Sequence, residues 1–326
     1  MSTTHPWLHG PQYVLGETEV HHTEITDLLT RAAELRMPPT PELWGWGSVR
    51  RTRRSLASMA ADSAAATLRA AGADPSSVDA VLLCSTRIPG PSQDHGRFME
   101  TFLTAAGLGD IPFYGQNMNR CVNLLAAIDT ATAFVTAGRH RRVLVVTTDS
   151  AAHEADRMAG YALFSDGAAG CLVTAADART DLSDGGYEIL GCAAAQHTRT
   201  LDHAHEISSD LARTVNERLL TPLGKQLDDV AALLHANIFK PVVLMKERQA
   251  GFTTRQLHTD NITRVGHCFS ADPLINLVDR AALGHLGPGS LCLLAAAVPG
   301  QRIGVLLRTP GNPERTEIPE REGPRE

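Results

Sequence analysis

The strongest constraint on how this chain folds is a pattern that occurs twice. In the first half the helix-forming stretch SLASMAADSAAATLRAA ends at Gly72 and leads through the turn DPSS into the apolar run VDAVLLCST. A second helix, VNLLAAIDTATAFV, ends at Gly138 and returns to VLVVTTD, and the small-residue turn LFSDGAAG opens the strand CLVTA. The second half presents the strand YEILGCAAA, the helical SSDLARTVNERLLTPLGKQL, the strand VAALLHANIF and the helix ADPLINLVDRAAL closed by Gly284. A GPGS turn (the GPG at 287–289 is not a phosphate loop) then leads to the strand pair SLCLLAAAV and IGVLLRT. Short apolar runs bounded by Gly and Pro read as buried strands, and apolar residues at i, i+3, i+4 read as the helices that cover them. DAVLLCST matches VAALLHAN in place and VLVVTTD matches LCLLAAA. This predicts an internally duplicated α/β protein with two mixed sheets and helices between and outside them. The halves are residues 1–175 and 176–309, and the charged, Pro/Gly-rich stretch 310–326 is expected to be a disordered tail.

Composition removes several function classes. The 326 residues carry a formal net charge of -6, which gives no basic footprint for nucleic acid. No apolar run approaches the roughly 18 residues needed to span a bilayer, and MSTTHPWLHG lacks the charged-then-apolar pattern of a signal peptide. A cytoplasmic location is expected. The six cysteines are scattered singly, mostly in apolar segments, without a C-x-x-C pair, and read as reduced. His197, His203 and His205 lie in QHTRTLDHAHE with no carboxylate or cysteine ligand pattern beside them, so no metal is expected there; a solvated loop near a site entrance fits better.

Between a loose start and the first long helix lie an amphipathic helix, Ile25 to Arg36, and an irregular basic and aromatic segment, Pro38 to Arg54. Trp44 and Arg50 in that segment are candidates to stack on and grip a nucleotide diphosphate. A solvated arginine cluster with its tryptophans packed beneath it fits the spacing equally well.

The chemistry centres on Cys121. Polar, irregular residues run into it, and Val122, Leu125, Ala126, Ile128, Ala131, Thr132 and Val135 follow at helical spacing. A helix start turns unpaired N–H groups and the positive dipole end toward the sulfur, and Arg120 adds charge, both of which favour the thiolate. His235 ends the strand AALLHAN, with Asn237 two residues on, and His267 lies in VGHCFSAD before a helix. One cysteine with two such histidines resembles a nucleophile with an acid/base pair. Asp166 in SDGAAG is expected to fix its turn by hydrogen bonds.

These segments resemble the ketoacyl-ACP synthase III family of the thiolase superfamily. The likeness is carried by RCVNLLAAIDTATAFVTAGRHRRVLVVTTDS, by LFSDGAAGCLV, by LLHANIFKPV, and by GHCFSADPLINL where the family has G-N-T-S-A-A. It implies a thiolase-like fold in αβαβα layers, an acyl thioester on Cys121, His235 as first partner and His267 in place of the family's asparagine. It implies no bound cofactor: acyl-CoA or acyl-ACP, a phosphopantetheine thioester, is the substrate, the acyl carrier protein a partner, and the protein a homodimer. AAAVPGQRIG keeps Gly300 of the family's glycine-rich oxyanion loop but loses its neighbours. Asp272 is placed to orient a histidine as a base, and Asn237 stands one residue short of the family's asparagine position. Gly90, in Ile88-Pro89-Gly90-Pro91, takes the place of a bulky residue of the dimer-contact loop and is expected to widen the acyl pocket. These departures imply acyl transfer in secondary metabolism, such as a polyketide or antibiotic pathway. The alternatives are decarboxylative condensation with a malonyl thioester or a non-catalytic role in a heterodimer. A thiolase proper is disfavoured because Cys292 precedes Leu293 and Leu294 and not a C-x-G setting.

Overall fold

The computed structural model describes residues 5–87, 90–183, 185–202 and 207–311. Most of the expected tail therefore lies outside the described residues. In chain order the main elements of the first half are β1 (Trp7–Leu15), α1 (Leu56–Ala71), β2 (Ala80–Cys84), α2 (His95–Ala105), β3 (Phe113–Gln116), α3 (Asn123–Thr136), β4 (Arg142–Asp149) and β5 (Gly167–Thr174). The second half supplies β6 (Tyr187–Gln196), α4 (Ser209–Leu220), β7 (Val230–Leu234), α5 (Lys240–Gln249), α6 (Asp272–Ala282), β8 (Leu291–Val298) and β9 (Gln301–Arg308).

The duplication is visible in strand order and sense. The first half runs β3-β2-β4-β5-β1 and the second β7-β8-β9-β6. The pair β2–β4 is parallel, and β4–β5 and β5–β1 are antiparallel; β7–β8, β8–β9 and β9–β6 repeat those senses. Helices α3 and α6 each pack on strands of both halves, while α1 covers the outer face of the first half-sheet and α4 that of the second. Leu124, Leu125 and Ile128 of α3 are fully buried in this middle layer, where removing such a side chain costs about 2–5 kcal/mol.

Two expectations change. Instead of two separate sheets there is one nine-stranded sheet, because the edge strands β1 and β6 pair antiparallel at Trp7↔Glu188 and Leu8↔Tyr187. Each half thereby covers the other's open edge. The start of the chain is also not loose: β1 lies mid-sheet. Gly10 and Pro11 break its alternation, and the ladder absorbs them as a register shift between His9 and Gln12. The expected helix over 25–36 is shorter, Leu28–Glu34. The helix α5 has no counterpart among the sequence expectations. Among the described residues no helix is long and apolar enough to cross a membrane.

Helix α1 sits close on the bulge because alanines line its buried face, and it is bounded by the Ser55 side chain, which accepts from the Ser58 N–H, and by left-handed Gly72. A Cβ at Gly10 would stand 2.4 Å from the Thr67 carbonyl oxygen and 2.8 Å from the Ala71 nitrogen, whereas Gly138 has open space around it. Both have positive φ. Gly138→Ala is therefore expected to lose about 1 kcal/mol of stability from backbone strain alone, and Gly10→Ala at least about 2–3 kcal/mol. Denaturant unfolding of the two variants checks the order; equal losses would show that α1 can move off the sheet freely.

Candidate active site

Cys121 stands in a tight turn, Arg120–Val122, that runs directly into α3. The turn is held from several sides. The Asn123 side chain accepts from the Asn119 N–H at 3.0 Å and donates to the Ser85 carbonyl at 2.8 Å, and the Thr86 hydroxyl donates to the Arg120 carbonyl at 3.4 Å. Met118 and Arg120 both have positive φ, 76° and 54°, a conformation that costs a non-glycine residue about 1–3 kcal/mol. Beneath the turn, Asp149 at the end of β4 accepts from the Thr86 N–H at 2.6 Å and the Ser85 hydroxyl at 3.0 Å. Burial pushes its carboxyl up to about 7 against the effect of these donors.

His267 reaches Cys121 from the other half. Its backbone is zipped to the LFSDGAAG segment: the His267 N–H donates to the Leu163 carbonyl and the His267 carbonyl accepts from the Ser165 N–H, at 2.8 and 2.9 Å. Asp166 in that segment fixes the turn as expected, accepting from the Thr52 and Ala151 N–H groups, and it also forms a buried two-pronged pair with Arg157. The His267 Nε2 lies 3.4 Å from the Cys121 Sγ, and Nδ1 forms a short hydrogen bond with Asp272. Asp272, at the first position of α6, is fully buried. It also accepts from the Asn237 N–H at 2.6 Å and the Cys268 N–H at 2.7 Å. Burial pulls the His267 imidazole toward the neutral form, but the Asp272 carboxylate and the Cys121 sulfur outweigh it and raise its value to about 10. The result is an aligned sulfur, imidazolium and carboxylate.

His235 is in the opposite state. Its Nδ1–H donates to the Ala236 carbonyl at 2.8 Å, Nε2 is buried with no hydrogen-bond partner, and burial lowers its proton affinity. It does not line the cavity that holds Cys121 and His267; it borders a smaller adjoining one against the buried Arg302–Glu247 ion pair. Asn237 does not line the main cavity either. Its part is to hold Asp272 through its backbone, while Asn276 donates to its side-chain oxygen and to the His235 carbonyl.

The main cavity, of about 520 Å³, is bounded by Cys121, His267, Tyr161, Phe164, Phe269 and Pro299, with α5 contributing Val242, Met245 and Lys246. Like His235, Asn237 and Asp272, the sequence candidates Trp44, Arg50, Gly90 and Gly300 fall outside its lining. The Trp44 indole N–H donates to the Pro38 carbonyl at 2.8 Å and its ring packs 5.7 Å from Phe239. Arg50 is paired with Glu19 at 2.6 Å, as Arg51 is with Glu154 and Arg54 with Asp62, so the arginine cluster is neutralised locally. Gly90 is exposed and accepts at its carbonyl from His95, so it opens no wall of this chain's cavity; Ile88 and Pro89 lie outside the described residues. Gly300 turns the β8–β9 hairpin behind the cavity, packed on Thr200 and Leu201, and Pro299, which has no N–H, takes the wall. Of the three histidines where a solvated loop and no metal was expected, His197 bonds Thr200, and His203 and His205 lie outside the described residues. Tyr161, Asp149 and the α5 residues were not flagged by sequence; the Tyr at the end of AAHEADRMAGY just ahead of LFSDGAAG was the available signal. The other five thiols are each pushed up by burial, and none lines this cavity.

The family model for 3-oxoacyl-[acyl-carrier-protein (ACP)] synthase III matches residues 117–194. The beta-ketoacyl-[acyl-carrier-protein] synthase III of Solibacter usitatus (strain Ellin6076) is 24% identical over 278 residues, covering 76% of this chain and 82% of the relative. ChlB3, described as an acyltransferase, superposes with a TM-score of 0.78 at 17% identity over 94% of this chain and 98% of its own. The 3-oxoacyl-[acyl-carrier-protein] synthase III of Aquifex aeolicus VF5 gives 0.72 at 18% identity over 93% and 99% of the two chains. The acetamide-bound OleA of Xanthomonas campestris gives 0.76 at 15% identity over 93% and 98%.

The charge state of His267 sets a pH dependence. Its value of about 10 in the fold exceeds the ordinary 6.5, so folding takes up a proton at this ring. The stability it contributes is complete below 6.5 and is lost as pH rises through about 10. Between about pH 7 and pH 10 the denaturant midpoint is expected to fall more steeply for the wild type than for Asp272→Asn, whose imidazole has lost the stronger of the two groups that hold its proton. Equal slopes in the two proteins would refute the ion pair.

Proposed function

Because the chain is a ketoacyl-ACP synthase III-like protein of the thiolase superfamily, we propose that it is a thioester-dependent acyltransferase working through Cys121, His267 and Asp272. The observation that carries this reading is the alignment of Asp272, His267 Nδ1, His267 Nε2 and Cys121 Sγ. In the first step the Cys121 thiolate attacks the carbonyl carbon of an acyl-CoA or acyl-carrier-protein thioester. A new C–S bond forms, the donor's C–S bond breaks, and the leaving thiolate takes the proton of the His267 imidazolium. Acylation removes the negative charge on the sulfur, one of the two groups that hold that proton. The neutral imidazole, kept in one orientation by Asp272, then accepts the proton of a hydroxyl or amine acceptor as that group attacks the thioester. Departure of Cys121 as thiolate restores the starting pair.

Decarboxylative condensation asks something else of the site. Two donors must face the carbonyl of a malonyl thioester to hold the enolate that CO2 leaves behind. His235 presents a lone pair at Nε2, because its proton is committed to the Ala236 carbonyl. His267 donates to the nucleophile itself. Both features favour transfer over condensation, in secondary metabolism as the sequence departures imply. A silent partner role is disfavoured by the intact nucleophile. A cytoplasmic homodimer completes the proposal, with the free edge of β3 as the surface that pairs two copies.

Intact-protein mass spectrometry with a panel of acyl thioesters is expected to place one acyl group on the wild type and none on Cys121→Ala. Acylation of that variant would sink the mechanism. With an acyl donor and malonyl carrier protein the wild type is expected to release no CO2, and stoichiometric CO2 with a 3-ketoacyl product would establish condensation instead. Asp272→Asn is expected to slow delivery to a nucleophilic acceptor by about 10²–10⁴-fold, the usual worth of an acid–base group.

A further inference from the structure

The residue ahead of the nucleophile is the least expected part of the cavity wall. Arg120 is held in the left-handed region by the turn, and its side chain lines the same cavity as Cys121. One end of the guanidinium is fixed: Nη2 donates to the Pro299 carbonyl at 2.6 Å. Nη1 is buried and has no hydrogen-bond partner among the described residues. A buried charged donor without an acceptor is costly and is rarely left so by a folded protein unless something else completes it. Among the described residues nothing does: Arg87 and Lys246 also line the cavity, and no described Asp or Glu does. The rest of the lining near the sulfur, Phe164, Phe269, Ala297 and Val298, is apolar and suits a short methylene chain.

Resting on the acyl-enzyme reading above, we propose that the acyl group loaded onto Cys121 carries its own carboxylate, as the half-thioester of a short dicarboxylic acid, and that Arg120 selects it. The guanidinium end left open then meets a carboxylate in a charge-assisted hydrogen bond, on a side chain already oriented by Pro299. The phosphates of CoA do not serve as this anion, because a full pantetheine arm separates them from the sulfur that must sit at Cys121. A free carboxylate on the acyl group is also compatible with a site that does not stabilise an enolate. Arg120 has a competing use, supporting the Cys121 thiolate, and that use is indifferent to what the acyl group carries.

The test compares loading rates of Cys121 by mass spectrometry for succinyl-CoA, its monomethyl ester and butyryl-CoA, with malonyl-CoA as a shorter acid. The wild type is expected to load the acids about 10–100-fold faster than the ester or butyryl donor, the worth of a hydrogen bond to a charged group. In Arg120→Met that ratio is expected to collapse toward one, and in Arg120→Lys to survive in part. A wild type that loads butyryl-CoA as fast as succinyl-CoA overturns the inference while leaving the acyl-enzyme intact. So does an Arg120→Met protein that slows both donors by the same factor, which marks Arg120 as a thiolate support only. If Arg120→Met does not fold, the wild-type ratio and Arg120→Lys decide. If no donor adds mass to Cys121, the acyl-enzyme reading falls and this inference with it.

Discussion

A carboxylate with no exposure to water, Asp272, is the point on which the site depends. A charge in that position is tolerated only where donors surround it. Here those are the Asn237 and Cys268 N–H groups and the His267 ring, with the start of α6 adding the positive end of its dipole. Each donor comes from a different piece of the second half: the end of β7, the loop after His267, and that histidine itself. Satisfying one carboxylate therefore fixes the strand end, the loop and the ring together. The ring in turn reaches Cys121 of the first half, so the two halves are joined at the site as well as in the sheet. Loss of the carboxylate would leave the other groups packed but no longer aligned.

Much of this arrangement was legible in the sequence, for reasons that are local. The runs at β2, β4, β7 and β8 are short, apolar and bounded by turns, and Cys121, His267 and Asp272 sit at element ends where periodicity changes. What was not legible depends on partners far away in the chain. Strand β1 reads as irregular because Gly10 and Pro11 interrupt it, and only the strands on either side show that it belongs in the sheet. Helix α5 begins with Pro241, Val242 and Val243 and mixes charge with apolar residues on every side, so its pattern is weak. Arg50 looked available for an anion because Glu19, which neutralises it, lies 31 residues earlier. Gly300 was expected in an oxyanion loop for want of the same information, whereas it is Pro299 that lines the cavity.

The nucleophile's setting differs from that of every other cysteine in the chain. At Cys84, Cys171, Cys192, Cys268 and Cys292 burial disfavours the thiolate. Cys121 has the His267 ring 3.4 Å from its sulfur and shares with Arg120 a cavity lined also by apolar side chains. Charges in such a cavity interact strongly because little water screens them. Exposure does not single this sulfur out: at 8% exposure Cys121 is buried, and Cys192 is the less buried thiol.

The two histidines show how one residue type acquires two roles without any difference in burial. Both are shielded from water, and both use Nδ1 to bind an oxygen. At His267 that oxygen belongs to a carboxylate, which pays for a second proton on the ring, so Nε2 is a donor facing sulfur. At His235 it belongs to the Ala236 carbonyl, which carries no net charge, so the ring stays neutral and Nε2 is a lone pair. Pairs of titratable groups driven apart in this way assign their own functions. The protonated ring stands beside the Cys121 sulfur, where a proton can be passed. The neutral ring is set back beside the Arg302–Glu247 pair, while the His235 backbone carbonyl accepts from Asn276 close to where the Asn237 N–H reaches Asp272.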